Sequence, residues 1–366
     1  SHALNNAPLP EREYVDALLN DLKHTASEVT ARPLRSIFIG GGTPNLFSAV
    51  AMGRLLNGVA RYFTLMPDTE ITLEANPGAG EAQRFVEYRS VGVNRLSLGV
   101  QSLDDGLLKT IGRIHTADEA RQAISVALEV FSYVNLDFMF ALPGQTMDML
   151  DSMLREVRAF GASHLSFYQL TLEPHTRFHR EPPEHLPDTD TAAAMQERVE
   201  NVLADAGYER YEVSAYARPG AMCAHNLNYW QFGDYLGIGA GAHGKVSFFD
   251  AEGQIVRVER TVKQPHPRRY IDTAQTAPEA LTVELRSVAP HEFAFEFMLN
   301  TLRLKGGVPR DFFPERTGVP LADIASMAQD AIVRGLLEPD GAAFRTTPLG
   351  WRFLNDTVQC FLVDER

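Results

Sequence analysis

The polar residues of this chain that can do chemistry follow short apolar segments. Three glycines, Gly40 to Gly42, come directly after one such segment and continue into Thr43 and Pro44. Glycine lets a ligand approach the backbone closely and accept hydrogen bonds from its N–H groups. The run has neither the spacing of a phosphate loop nor that of a dinucleotide-binding turn. By itself it is equally compatible with a tight turn that holds no ligand.

Four further side chains occupy comparable places along the chain: Glu74, Gln101, Arg113 and Asp137. A carboxylate such as Glu74 can accept hydrogen bonds from a ribose or an amine, and Arg113 can pair with a ligand carboxylate through two parallel hydrogen bonds. Taken singly, Glu74 could instead cap a helix, and Arg113 could form a surface ion pair. Their shared location after apolar segments is what favours a ligand site.

A second group of candidates forms one hexapeptide, His225-Asn226-Leu227-Asn228-Tyr229-Trp230. An imidazole can ligate haem iron, and Tyr229 and Trp230 offer flat, partly polar surfaces to a porphyrin. Asn226 could orient the ring or accept a hydrogen bond from a propionic acid group. The alternatives are that His225 is an ordinary loop histidine and that Trp230 belongs to the core. Cys223, two residues before, is more typical of a small buried hydrophobe than of a haem ligand.

Strand-like and helix-like segments alternate through the first half of the chain and must position these residues. Predicted strands, rich in β-branched or aromatic residues, cover 35–39, 70–74, 94–100, 133–140 and 164–170. Predicted helices cover 11–31, 49–62, 80–90, 116–130 and 146–160, with Thr116 and Thr146 as N-caps. This order predicts right-handed βαβ units and a parallel sheet. In such sheets, the functional residues lie at the carboxyl ends of the strands.

After residue 171 the pattern changes. The chain then predicts a helix at 189–206, a strand at 208–216, a hairpin at 248–262, helices at 291–304, 321–334 and 348–362, and a small hairpin at 336–346. Helices with a small hairpin before the last one are a winged-helix-like pattern.

Composition excludes several classes of protein. The 366 residues are 45% hydrophobic and 22% charged, as in ordinary globular proteins. The net charge of −13 argues against general nucleic-acid binding, and it means that haem propionates would need a local cation, for which Arg218 and Lys245 are candidates. No window is apolar enough for a membrane span, and no secretory signal opens the chain. The two cysteines, 137 positions apart, exclude a disulfide framework and a Cys-only zinc site. A cytoplasmic location is therefore expected.

Taken in order, the motifs GGGTP, EANPG, RLSLGVQS, GRIH and LDFMFALPGQT resemble the radical S-adenosylmethionine enzymes of the oxygen-independent coproporphyrinogen oxidase group. The similarity runs through nearly the whole chain, including 296–300 and 302–304. It implies a partial (β/α)6 TIM-like barrel, a 4Fe–4S cluster and S-adenosyl-L-methionine. By motif match, that cofactor would be held by Gly41, Gly42, Thr43, Glu74, Gln101, Arg113 and Asp137.

The hexapeptide is similar to H-N-x-x-Y-W, the signature of the HemW-type haem chaperones within this group. That resemblance implies haem binding, with His225 on the iron and Asn226, Tyr229 and Trp230 around the ring. It also implies delivery to respiratory haem proteins at the membrane, by a protein peripheral to it. The alternative function is oxidative decarboxylation of coproporphyrinogen III to protoporphyrinogen IX, so enzymatic activity stays open. A third interpretation is a barrel that only positions a partner, and the oligomeric state is undefined.

The resemblance divides the chain into three predicted regions. Residues 1–170 form a partial barrel whose first strand and cluster loop lie upstream, residues 171–285 extend the barrel and carry the haem segment, and residues 286–366 form a C-terminal, helical, winged-helix-like domain.

The cluster ligands of this family are predicted to lie upstream of Ser1. The family motif, C-x3-C-x2-C, is absent from the printed chain, and Ser1-His2 resembles the pair that follows its last cysteine. Cys223 and Cys360 have the wrong spacing, and three thiolates are needed. We expect the gene to encode this motif within about ten residues upstream of Ser1, as in the family. Sequencing that region checks the expectation, and an absence of the three cysteines would contradict the assignment to a radical enzyme.

Overall fold

The computed structural model describes residues 10–29, 32–42, 44–78, 83–172, 174, 177–339 and 341–363. The described residues form two compact units built from interleaved segments. The first, here called the barrel unit, contains residues 36–53 and 68–222. The second unit contains residues 10–35, residues 54–67 and the chain from residue 223 onward.

A seven-stranded sheet forms the scaffold, in the spatial order β1-β2-β3-β4-β5-β7-β6. Its strands are β1 (Leu34–Ile39), β2 (Leu65–Ala75), β3 (Arg95–Gln101), β4 (Tyr133–Phe140), β5 (His164–Gln169), β6 (Glu209–Arg210) and β7 (Ala215–Ala217). The pairs β2–β3, β3–β4 and β4–β5 are parallel, whereas β7 joins β5 and β6 in antiparallel fashion. The five predicted strands are all present, and the predicted partial-barrel α/β fold is confirmed.

Helices connect these strands, as the alternation predicts. They are α2 (Ala49–Val59), α3 (Phe85–Ser90), α4 (Asp105–Thr110), α5 (Ala117–Val130), α6 (Met147–Phe160), α7 (Arg177–Arg180) and α8 (Thr189–Asp205), with α1 (Glu11–Glu28) before β1. Both predicted N-caps are confirmed: Thr116 forms a capping box with Glu119, and Thr146 accepts a hydrogen bond from the backbone N–H of Met149. The helices bury an apolar face that includes Ile124 and Leu154 against the sheet core.

Two predicted elements are interrupted. The predicted strand 208–216 is instead β6 and β7, because the Glu212 carboxylate accepts hydrogen bonds from the backbone N–H and hydroxyl of Ser214 and turns the chain between them. The predicted helix 348–362 is two helices, because Phe353 leaves helical dihedral angles at φ −112° and ψ 53°. Most of the first turn predicted for the helix at 80–90 lies outside the described residues.

The second unit combines a three-stranded antiparallel sheet with short helices. Its elements are α9 (Ala224–Trp230), β8 (His243–Phe249), β9 (Ile255–Lys263), α10 (Pro267–Thr276), β10 (Thr282–Ser287), α11 (Phe293–Thr301), β11 (Val308–Pro309), α12 (Phe312–Thr317), α13 (Ala325–Val333), β12 (Ala343–Phe344), α14 (Pro348–Arg352) and α15 (Leu354–Gln359). The predicted hairpin of β8 and β9 is present, and the small C-terminal hairpin is marked by an antiparallel bridge between Leu337 and Thr346.

Two interior features hold the second unit together. Asp21 of α1 is fully buried, yet its carboxylate lies 2.7 Å from both the Lys263 ammonium and the Tyr270 hydroxyl, so its charge is compensated. Phe297 of α11 packs edge-on against Phe232 and Phe313. No helix among the described residues has the length and apolarity to cross a bilayer.

Candidate functional site

The glycine run lies against a carboxylate at the end of the next strand. The backbone N–H of Gly41 donates to Oε2 of Glu74 over 3.0 Å. Gly41 and Gly42 have φ angles of 79° and 57°, and a Cβ at either position would meet none of the described atoms within 4 Å. A Cβ at Gly40, by contrast, would lie 2.9 Å from the Glu74 carboxylate. The loop therefore presents backbone and open space beside a negative charge, while Thr43 lies outside the described residues.

Gln101 and Arg113 border the same end of the sheet. Gln101 is the last residue of β3, where the pairing register with β4 shifts, and its φ of 68° is rare for a side chain other than glycine. Arg113 is partly buried and donates from Nη1 to Oδ1 of Asn76 over 3.4 Å. Burial lowers the pKa of Arg113, and the charge of Asp137 opposes that change. The surface ion-pair alternative for Arg113 does not describe this environment.

Asp137 on β4 is the most perturbed carboxylate of this group. Its Oδ2 accepts a hydrogen bond from Ser97 over 3.1 Å, and its Oδ1 accepts one from the Asn135 amide over 2.8 Å. Burial raises the pKa of Asp137 to about 6, against the effect of these two hydrogen bonds, and the charge of Glu74 adds to the rise. A cationic or hydroxyl-bearing ligand would stabilise the ionised form.

A buried network of hydrogen bonds ends on the Asp137 carboxylate. Asn135 Oδ1 accepts from His164 Nδ1 over 2.7 Å and from the Ser166 hydroxyl over 3.0 Å, and His164 Nε2 lies 2.9 Å from the Tyr211 hydroxyl. With the Asn135 amide donating to Asp137, Nδ1 of His164 is the donor and its Nε2 accepts from Tyr211. The hydrogen bonds thus run in one direction, from Tyr211 to the carboxylate.

Sequence reasoning missed this network. Its members come from separate strands, and no local pattern pairs His164 with Tyr211. A signal did exist, since Asn135 with Asp137 and His164 with Ser166 are polar pairs two residues apart in otherwise apolar strands. That period of two places each pair on one face of the sheet.

The hexapeptide lies in the second unit, on α9, which Cys223 precedes as a buried N-cap residue. His225 and Tyr229 are four residues apart and share one face of the helix. Tyr229 is 40% exposed, and its ring packs 4.8 Å from Tyr235. Trp230 is half-buried, and the Arg303 guanidinium carbon lies 4.3 Å from the centre of the Trp230 ring. Trp230 therefore has a partly buried ring and a cation–π contact.

Of the two cations predicted to offset the charge of haem propionates, Arg218 and Lys245, the structure rules out Lys245. Lys245 is 1% exposed, and its ammonium donates to the Asp234 carboxylate over 3.0 Å and to the Phe232 carbonyl over 3.1 Å. That charge is already compensated inside the protein, so Lys245 is wrong as a propionate partner. Arg218, in the barrel unit, stacks on the Tyr208 ring at 4.6 Å.

Family models match both parts of the chain. Residues 8–157 match the radical SAM superfamily, and residues 288–353 match the HemN C-terminal domain. A solved structure described as coproporphyrinogen III oxidase (HemN) from Escherichia coli, a radical SAM enzyme, aligns with 98% of this chain and 84% of its own at a TM-score of 0.80. Its sequence identity is 19%, so this likeness concerns the fold.

Curated relatives are similar over the whole chain. The chain is 43% identical to "Heme chaperone HemW" of Escherichia coli over 366 residues, covering 100% of this chain and 93% of that protein. It is 33% identical to "Heme chaperone HemW" of Bacillus subtilis, covering 96% and 92%. These matches agree with the resemblance read from the motifs.

The raised pKa of Asp137 predicts a pH-dependent gain in stability from Asp137→Asn. Because the folded pKa is near 6 and the unfolded value near 3.9, the native aspartate loses stability as pH rises between them. The variant should therefore match wild type near pH 4 and exceed it by about 1–3 kcal/mol above pH 7. Thermal unfolding across this range measures the difference. The exposed Asp68→Asn is the control and should follow wild type, and a pH-independent offset for Asp137→Asn would refute a perturbed carboxylate.

Proposed function

This chain belongs to the HemW family of the radical SAM superfamily, and we propose on that basis that it is a haem chaperone which holds haem on the hexapeptide of α9 and S-adenosyl-L-methionine at the strand ends of the barrel unit. The observation that carries the haem role is the face of α9 formed by His225 and Tyr229, on which the tyrosine is 40% exposed. Tyr229 and the half-buried Trp230 offer an aromatic surface beside an imidazole that can ligate iron.

The strand-end residues fit the amino-acid part of S-adenosyl-L-methionine. Open space over Gly41 and Gly42 admits a ligand against the backbone, and Glu74 offers a carboxylate to an ammonium group. Arg113 would pair with the ligand carboxylate, and Asp137 would face positive charge or a ribose hydroxyl. Gln101 and Thr43, the residue that follows Gly42 in the sequence, complete the proposed set. When bound, the cofactor supplies one-electron chemistry, while these residues orient it.

The residues of this chain do not fit a 4Fe–4S cluster. Such a cluster requires cysteine thiolates, and the printed chain has only Cys223 and Cys360. The first is buried in the second unit at the start of α9. The proposal therefore assigns no cluster role to either cysteine.

Haem is the cargo in this proposal, with His225 on the iron, Asn226 beside the ring, and Tyr229 and Trp230 against its face. Delivery to respiratory haem proteins at the membrane belongs to the same proposal. The likeness to coproporphyrinogen III oxidase shows the fold alone. No contact among the described residues favours decarboxylation of coproporphyrinogen III over the binding and delivery of haem. The chaperone role is supported by the hexapeptide and by relatives named for it.

Removing the carboxylate of Glu74 or of Asp137 should weaken the binding of S-adenosyl-L-methionine. Glu74→Ala or Asp137→Ala each loses a charge-assisted hydrogen bond worth about 1.5–3 kcal/mol, which corresponds to about ten- to a hundredfold in affinity. Calorimetry with S-adenosyl-L-methionine titrated into wild type and into each variant measures this. Glu129→Gln, on the exposed face of α5, is the matched control. Unchanged affinity in both alanine variants would place the cofactor elsewhere.

The 366-residue chain should bind haem through His225. His225→Ala should abolish the Soret shift that haemin shows on binding, because the iron loses its imidazole ligand. Trp230→Ala should weaken binding less, and Cys223→Ser should leave the spectrum intact. His185→Ala, whose side chain is exposed in the loop before α8, is the control. A wild-type spectrum from His225→Ala would remove the axial-ligand role and reopen the decarboxylase alternative.

A further inference from the structure

The second unit contains a cleft of about 710 Å³ that shares one residue with the hexapeptide, Tyr229. Its remaining walls come from the three-stranded sheet, from α11 and from the end of the chain after α15. This volume is within the range of small-molecule sites in proteins.

Apolar side chains line the cleft and remain open to solvent. Tyr229 and Tyr235 form a continuous aromatic surface, with ring planes inclined by 31°. Leu299 is 48% exposed and Leu362 is 55% exposed, although both line a concave surface. Exposed apolar groups collected in a concavity favour a flat apolar ligand, since covering them removes that area from water.

Two arginines line the same cleft, together with the carboxylates of Glu284, Glu292 and Glu296. Arg260 donates to Oε2 of Glu296 over 2.8 Å, and Arg286 donates to Oε1 of the same carboxylate over 2.6 Å. Arg286 also pairs with Glu292 at 2.6 Å, but its side chain is 50% exposed and that of Glu292 is 35% exposed. An exposed ion pair contributes little stability. Arg286 can therefore exchange Glu292 for a ligand carboxylate at small cost, while Glu296 keeps both arginines in place.

We propose that this cleft is the seat of the porphyrin ring of haem, with its propionates toward Arg286 and its face on Tyr229. The inference rests on the proposed function, in which His225 ligates the iron. One helical turn, which rises about 5.4 Å, separates His225 from Tyr229, and a porphyrin is wider than that. In this proposal, a ring ligated by His225 lies across this face of α9 and extends into the cleft, which Tyr229 lines and His225 does not. A flat, largely apolar dicarboxylate matches its aromatic wall and its arginines.

Two variants of the 366-residue chain, titrated with haemin, test the cleft apart from the iron ligand. Leu299→Asp places a charge on the apolar wall and should weaken haemin binding at least tenfold, while the bound fraction keeps the wild-type Soret position. Arg286→Ala should weaken haemin binding by a similar factor, yet bind haemin dimethyl ester, which lacks propionate charge, as wild type does. Val333→Asp, 76% exposed on α13, is the control and should change neither ligand.

The outcomes separate the inference from the proposed function. If Leu299→Asp and Arg286→Ala bind haemin like wild type while His225→Ala loses the Soret shift, the cleft is not the porphyrin site and the function stands. If the two cleft variants weaken binding and His225→Ala does not, the cleft holds haem and the iron ligand is wrong. If none of the three variants changes binding, both the cleft and the hexapeptide site are overturned.

Discussion

Asp137 lies inside β4, three residues before its end, and the cost of keeping its carboxylate ionised there organises the polar interior of the barrel unit. An unpaired buried charge costs several kcal/mol, so Ser97 and Asn135 donate to it. The side-chain carbonyl oxygen of Asn135 then needs hydrogen-bond donors of its own, and His164 and Ser166 provide them. The partners compensate the charge only partly, as the raised pKa shows, and the remaining cost favours a cationic ligand.

In the second unit, the buried carboxylates of Asp21 and Asp234 are paired with lysines, and exposed groups are left for a ligand. The Asp234 carboxylate accepts hydrogen bonds from the Lys245 ammonium and from the backbone N–H and hydroxyl of Ser247. Burial alone would raise the pKa of Asp234, but these contacts lower it below its ordinary value. The Asn228 side chain donates to the Asp234 carbonyl and closes the end of α9. With the end of the helix fixed, Tyr229 is held in an exposed position.

Helix starts and the glycine turn were predictable, because interactions between neighbouring residues in the sequence determine them. Thr116 and Thr146 begin helices because their side chains satisfy the first backbone N–H groups, and the glycine run follows a strand as its composition indicates. Lys245 could not be judged from sequence, because its burial depends on Asp234 folding against it. The cleft was also invisible, since Arg260 meets Glu296 only when β9 packs beside α11. Glu74 lies next to the end of β2, as predicted, whereas Asp137 lies inside β4 and not at its end. The raised pKa of Asp137 could not be predicted, because it depends on residues of other strands.

A crystal structure of the haem-loaded chain tests the central claim, that α9 carries haem, most directly. The account predicts iron bonded to a ring nitrogen of His225 and a porphyrin face in contact with Tyr229. Iron bonded to another side chain, with the porphyrin away from α9, would contradict it.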